Sequence, residues 1–320
     1  MIIVPERDIA GLIGPADCLA AVEGVFAAMA RGTARNFPVV REALGHADAL
    51  YGFKSGFDAE SLALGLKSGG FWPGNMARGL TNHQSTIFLF DADTGRVAAA
   101  VGGNLLTALR TAAASAVSIK YLAPKGARVL GMIGAGHQSA FQMRAAARVR
   151  DFEKVIGWNP HSEMLTRLAE TAAELGLPFE AVDLDRLGAE ADVIVSITSS
   201  FSPLLMNEHV RGETHIAAMG TDTKGKQELD PALVARAKLY TDELAQAVSI
   251  GECQHAVAQG LVEAAAITRL GAAVNGTDPG RDGAEITIFD GTGVGLQDLA
   301  VAAKVVQLAQ AKGIAQTVEI

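Results

Sequence analysis

The tightest constraint on the fold is a glycine turn set between two regular elements. Val129-Leu130-Gly131-Met132-Ile133 is an apolar run that leads straight into Gly134-Ala135-Gly136, and residues 137–150 then follow a helical period. Glycine at the first position permits a tight turn, and glycine at the second lets a pyrophosphate approach the backbone. Free N–H groups and the positive end of the helix would hold that phosphate. The third glycine of the usual pattern is replaced by Ser139-Ala140, still small enough for close helix–strand packing. A purely structural turn is the alternative. The regular alternation that follows weighs against it.

That alternation predicts strands at 129–133, 155–158, 191–197, 215–219, 239–241 and 286–289, with helices at 137–150 and 162–175. Short apolar strands separated by helices imply a parallel sheet covered on both faces, an α/β Rossmann-type doubly wound fold. Upstream of Pro124-Lys125-Gly126 the pattern is different. A first strand is expected at 1–6 and an amphipathic helix at 17–31, with Leu19, Val22, Phe26 and Met29 on one face and Gly32 behind it. A hairpin is expected from strands 85–90 and 97–101 across the turn 91–95, then a helix over 105–122. An alanine-rich helix at 296–311 is too apolar to stand alone. Its partner surface is the first domain, another subunit, or both. A length of 320 residues suits two domains. The expected layout is 120–297 as the Rossmann dinucleotide-binding domain, with 1–119 and 298–320 forming a discontinuous α+β domain.

Charge and composition exclude some partners. A net charge of −8, from 35 acidic against 27 basic residues, gives no attraction to nucleic acid or to an anionic membrane. An anionic ligand needs a local cationic pocket. Cys18 and Cys253 lie in no CxxC motif, so neither a metal site nor a disulfide framework is expected. The N-terminus lacks a signal-peptide pattern and no window has the apolar length to span a bilayer, so the cytoplasm is the default expectation.

The strand after the glycine turn ends at Asn159, where NAD enzymes usually carry Asp or Glu for the ribose 2′-hydroxyl. Asn159 can bond a ribose hydroxyl without repelling a 2′-phosphate, and no arginine stands beside it in sequence. NAD is the expected cofactor, with NADP possible. Arg41, Lys67 and Arg110 each sit amid apolar or small neighbours, where a charge is costly to bury without an anion. A substrate carboxylate would serve; so would the chain's own acids. Asp222 follows the strand 215–219 and is placed either to exchange a proton with a reacting nitrogen or to cap a helix. The segment Gly79-Leu80-Thr81-Asn82-His83-Gln84-Ser85 is unusually polar. It offers His83 to a second polar group of a substrate, or simply makes a turn.

Taken as a set, several segments resemble the ornithine cyclodeaminase/μ-crystallin family over nearly the whole chain. They are Lys67 with Pro73-Gly74-Asn75, Leu109-Arg110-Thr111, Gly134-Ala135-Gly136-His137-Gln138, Asp222 within Gly220-Thr221-Asp222-Thr223-Lys224-Gly225, and Phe289-Asp290-Gly291-Thr292-Gly293 running on to Asp298. The resemblance implies a homodimer formed through the first domain and NAD(P) on the second. It implies that Arg41, Lys67 and Arg110 hold a substrate carboxylate, with Lys67 nearest the reacting carbon and Asp222 handling the proton on nitrogen. It places Gly134, Gly136, His137, Gln138, Asn159, Thr198 and Ser199 at the cofactor. Cyclodeaminases of the family carry a catalytic Glu shortly before the lysine, whereas this chain has no Glu between Glu42 and Glu60. The overall look is nearest the iminosuccinate-reducing members. The implied activity is NAD(P)H-dependent reduction of a small 2-imino acid, iminosuccinate to L-aspartate fitting best. Cyclic ketimine reduction, alanine dehydrogenation, ornithine cyclodeamination and non-catalytic, crystallin-like NAD(P)H binding are the alternatives.

Overall fold

The computed structural model describes residues 1–319. By compactness the chain divides into two units, Met1–Arg110 with Val294–Ile320, and Thr111–Gly293. The first division cuts the continuous helix Asn104–Leu122, as would the boundary expected at 119/120, so no linker marks the passage.

The first unit is built on one mostly antiparallel sheet. Its path runs through Gln316–Thr317, Ile2–Val4, Val97–Gly102, His83–Phe90, Ala63–Phe71, Leu50–Asp58 and Ala34–Asn36, with Val40–Ala43 also paired to Leu50–Asp58. The expected hairpin is present: His83–Phe90 pairs with Val97–Gly102 across a turn closed by Asp91 N–H donating to the Arg96 carbonyl at 2.9 Å. The expected N-terminal strand is shorter, Ile2–Val4, because Glu6–Ile9 turns helical. The reason is a cap: the Glu6 carboxylate accepts from the backbone N–H groups that open Asn104–Leu122, Asn104 at 3.0 Å and Leu105 at 2.8 Å. The long strands Leu50–Asp58 and Ala63–Phe71 have no counterpart in the sequence reading. Their glycines and lysines hide the two-residue alternation that marks a strand.

Those glycines have a packing role. The C-terminal helix Gly295–Ala311 lies on this sheet and on the helix Pro15–Arg31. A Cβ on Gly65 would stand 2.8 Å from the Leu299 side chain, and one on Gly56 would stand 3.0 Å from Leu296. On the helix, a Cβ at Gly295 would meet the Ser55 backbone nitrogen at 2.7 Å. Three missing side chains let helix and sheet approach closely, which buries the first turn of the helix.

The second unit holds an eight-stranded, all-parallel sheet. Its order is Phe179–Ala181, Lys154–Trp158, Val129–Ile133, Val193–Ser196, Thr214–Ala218, Ile286–Asp290, Lys238–Thr241 and Thr268–Arg269. The strand order reverses between Val129–Ile133 and Val193–Ser196. That switch point is where a doubly wound sheet opens a crevice beyond its carboxyl ends. Aliphatic side chains such as Ile133, Ile156, Ile194, Ile216 and Ile288 fill the core. The helix expected over 137–150 is only Ser139–Ala146, and that expected over 162–175 opens as a 3-10 turn, Ser162–Met164, before Leu165–Glu174. No helix among the described residues is long and apolar enough to cross a membrane.

Candidate active site

Side chains alternate across a sheet, so register decides which residues share a face. In the first unit Lys54 is directly opposite Lys67, and Lys67 is opposite Ile87. The next row runs Arg41, Gly52, Gly69, Ser85, and His83 faces Phe71 one row further on. Arg41, Lys54, Lys67 and His83 therefore project from one face, the face that the C-terminal helix covers. Between Arg41 and Ser85 two glycines leave the sheet bare of side chains.

Lys67 and Arg110 are only 7% and 5% exposed, and Asp298, from the first turn of the C-terminal helix, is fully buried. Lys67 Nζ lies 3.0 Å from both carboxylate oxygens of Asp298 and donates to Thr107 Oγ1 at 3.3 Å. Arg110 Nε donates to Asp298 Oδ1 at 3.0 Å, and its Nη1 donates to Gln297 Oε1 at 3.1 Å. Thr107 and Arg110 are three apart on one helix, hence on one side of it. Of the two readings of these cations, pairing with the chain's own acid is what is seen, but two cations share a single carboxylate.

The electrostatics follow. Burial, then the nearby Arg110 charge, pushes the Lys67 ammonium down to about 7, although Asp298 pulls the other way. Burial by itself would raise Asp298, but Arg110 and Lys67 outweigh it and hold the carboxyl below its ordinary value. His83 is pushed down to about 3 by burial and then by Lys67 and Arg110, so its ring is neutral near pH 7. Arg41, by contrast, is exposed on Val40–Ala43. The polar segment before the hairpin is a turn around Asn75, Asn82 and Thr81, and His83 opens the strand that follows.

In the second unit the glycine turn sits at the switch point. Gly134 has φ of 102°, and a Cβ there would lie 2.6 Å from the Ile197 carbonyl oxygen. A Cβ on Gly136 would point into open space. Gly134 N–H donates to the Trp158 carbonyl and Ala135 N–H to Asn159 Oδ1, both within the protein. The N–H groups of Gly136, His137 and Gln138 have no protein acceptor among the described residues, and Gln138 Oε1 is buried with no partner there. Orphaned donors beside an open glycine fit a pyrophosphate.

Two contacts in this region were not legible in the sequence. Asn159 is engaged in holding the turn, through Ala135 N–H at 3.1 Å and by donating its amide to the His161 carbonyl at 2.9 Å. An arginine does stand beside the turn: Arg167, from Leu165–Glu174, donates to the Ala135 carbonyl at 3.2 Å. It was invisible in sequence because it arrives from the helix after the strand. Burial and Arg167 lower the His137 ring below its ordinary value.

Thr198 and Ser199 follow Val193–Ser196 at its carboxyl end, where Thr198 N–H donates to Glu228 Oε1 at 2.6 Å. Asp222 lies in the loop after Thr214–Ala218 and caps no helix. Lys226 Nζ donates to its carboxylate at 2.9 Å. Sequence reasoning missed Asp298, Gln297, Lys54, Arg167 and the buried acids Glu228 and Glu252. Asp298 closes the last segment of the family resemblance and is a lone acid early in a helix otherwise rich in alanine, valine and leucine, yet neither signal says what it pairs with.

Parallel sheet, reversed strand order and glycine turn together define a Rossmann-type α/β protein. The chain belongs to the ornithine cyclodeaminase/mu-crystallin family, whose profile matches residues 3–313. Iminosuccinate reductase of Paracoccus denitrificans is 77% identical over 320 residues, 100% of both chains. The crystal structure of that enzyme in complex with NAD+ matches this fold with a TM-score of 0.97, over 100% of this chain and 99% of that one. An archaeal alanine dehydrogenase dimer with bound NAD is 31% identical, with a TM-score of 0.93 over 100% and 99% of the two chains. The Delta(1)-pyrroline-2-carboxylate reductase of Thermococcus litoralis, in complex with NADH and L-proline, is 26% identical with a TM-score of 0.92, over 99% and 100%.

Proposed function

We propose that this protein is an NAD(P)H-dependent imine reductase that converts a small 2-imino acid to the L-amino acid, with iminosuccinate and L-aspartate as the pair that fits best. The observation that carries the substrate class is the charge on one face of the first unit's sheet. Lys67 and Arg110 share the single carboxylate of Asp298, and Arg41 projects from the same face of the sheet as Lys67. Two buried cations on one carboxylate suit an anionic substrate. The 77% identity to an iminosuccinate reductase supports the same choice.

Arg110 and Lys67 take the α-carboxylate, Arg110 through its planar fork and Lys67 as a point charge nearest the reacting carbon. Neutral His83 and Arg41 take the distal carboxylate. Fixing the imine in one orientation contributes several kcal/mol to lowering the barrier. Gly134, Gly136, His137, Gln138, Asn159, Thr198 and Ser199 would hold NADH, which would supply the hydride for the imine carbon. Asp222 orients the imine nitrogen and handles its proton. NADH is preferred to NADPH, in keeping with the NAD+ in the structure of the 77% identical relative.

Residues 1–119 and 298–320 form the substrate-binding and dimerisation domain in this reading, and 120–297 the dinucleotide-binding domain. A homodimer is supported by large apolar side chains left exposed on the first unit, Val40 and Phe53 facing each other across a strand pair with Leu44 nearby. Function in the cytoplasm is consistent with Cys18 and Cys253, both free and buried.

The test is NADH oxidation, followed by near-ultraviolet absorbance. Turnover with oxaloacetate plus ammonia, and none with oxaloacetate alone, is the expected result. Turnover confined to cyclic imines would move the assignment to a ketimine reductase. Tight NADH binding with no turnover on any imine would end the enzyme reading.

A further inference from the structure

Glu228 and Glu252 are buried acids of the second unit to which the mechanism assigns no task. Glu228 Oε1 accepts from Thr198 N–H at 2.6 Å, and Oε2 accepts from Gly220 N–H at 2.9 Å. Those amides lie just beyond the carboxyl ends of two adjacent parallel strands, Val193–Ser196 and Thr214–Ala218. One loop carries Thr198 and Ser199; the other carries Asp222. A Cβ on Gly220 would stand 2.5 Å from Glu228 Oε2, so only glycine lets the carboxylate so close. Glu252 forms a second tier. Its Oε1 accepts from the N–H groups of Glu228 at 3.0 Å and Leu229 at 2.7 Å, and its Oε2 accepts from the Thr221 hydroxyl.

We propose that Glu228 is a positioning residue: its carboxylate clasps the Thr198 and Gly220 amides and so sets the two loops that present Thr198, Ser199 and Asp222 to cofactor and substrate, while Glu252 aims Glu228. The roles of Thr198 and Asp222 come from the reductase reading; the clasp itself is geometry.

Burial favours a retained proton on this pair. Both are pushed upward, Glu252 to about 8, by burial first and then by the charge of Glu228. Both Glu228 oxygens receive fixed N–H donors, which favours its ionised form. Glu252 Oε2 faces the Thr221 hydroxyl, which can turn from donor to acceptor, with the Glu228 N–H at a longer 3.2 Å, so it is the oxygen of the pair better suited to carry a proton. The other ionisable groups around the pair are Asp222 and Lys226 on the same loop, Cys253 and His255 on the segment after Glu252, and Asp290 on Ile286–Asp290, which accepts from Cys253 N–H.

The experiment is a fluorescence titration of the purified protein with NADH across pH, alongside turnover. In Glu228→Gln one amide N–H2 must face a backbone N–H. NADH affinity is expected to fall about tenfold, with a matching fall in kcat. Glu228→Asp, a methylene too short to span both amides, should fall between this variant and wild type, and it serves if Glu228→Gln fails to fold. Glu252→Gln mimics the protonated acid. It should keep near-normal affinity at neutral pH and lack the decline expected of wild type above about pH 8. Wild-type NADH affinity and turnover in both Glu228 variants would overturn the proposal, as would an unchanged alkaline decline in Glu252→Gln. A protein that needs Glu228 to bind NADH yet reduces no imine would sink the reductase reading and leave the clasp standing.

Discussion

Asp298 in the first unit and the Glu228–Glu252 pair in the second are all buried carboxyls, yet they are compensated differently. Asp298 lies against two cations. The two glutamates lie among neutral backbone and hydroxyl donors. Desolvation opposes charge in both places. Opposite charges overcome it for Asp298 and leave the strain on Lys67, pushed down to about 7, while neutral donors do not overcome it for Glu252, pushed up to about 8. A cluster with surplus cations is suited to receive an anion. A cluster that keeps a proton is suited to hold backbone in place.

The largest test of this contrast is Arg110→Ala. It leaves Asp298 and Lys67 as a bare pair and removes the fork for the substrate carboxylate. A loss of about a hundredfold or more in kcat/KM is expected, together with a clear drop in Tm. Near-normal turnover in steady-state assays would break the assignment of the cationic face as the substrate site.

Gly65→Val comes next, because it tests whether helix–sheet approach sets the cluster. Its side chain would collide with Leu299, and its Cβ would stand 2.2 Å from the Phe88 carbonyl oxygen. Overpacking of this kind costs about 1–3 kcal/mol, read by denaturant unfolding, and should weaken substrate binding by moving Asp298.

The two clusters also predict opposite pH dependences of stability. The folded Lys67 value lies below its ordinary 10.5, so the unfolded chain binds more protons there, and this contribution rises between about pH 7 and 10.5. The folded Glu252 value lies above its ordinary 4.5, so its contribution is full at low pH and is lost as pH rises toward about 8. Unfolding free energies across pH should show Lys67→Met flattening the first slope and Glu252→Gln the second. A single variant that altered both windows would show that the clusters are not separable.

The smallest expected effect is at Arg167. If its guanidinium beside the glycine turn helps to tolerate a 2′-phosphate, Arg167→Ala should raise the KM for NADPH by a few-fold, on the order of one charge-assisted hydrogen bond, and spare that for NADH. Equal changes for both cofactors would assign Arg167 to holding the turn alone.

Much of the second unit was legible in the sequence because its information is local. An apolar strand, two glycines and a helix are contiguous at 129–146, and parallel strands buried on both faces are plain apolar runs. The strands Leu50–Asp58 and Ala63–Phe71 were not legible, since glycines that admit a helix look like breaks in a pattern. Lys67, Arg110 and His83 could be singled out from their settings. The anion that Lys67 and Arg110 share could not, because Asp298 lies 231 residues beyond Lys67.

By itself the sequence determined the α/β class, the family, the glycine turn and the residue types available for chemistry, all of which rest on short-range pattern and on motifs in order. Only the tertiary structure decided that Asp298 is the carboxylate between Lys67 and Arg110, that Arg167 reaches the turn and that Glu228 ties two strand ends together. Each of these is a contact between residues far apart in the chain. Such contacts depend on sheet register and on how closely a helix can approach, and periodicity within one segment carries no information about either.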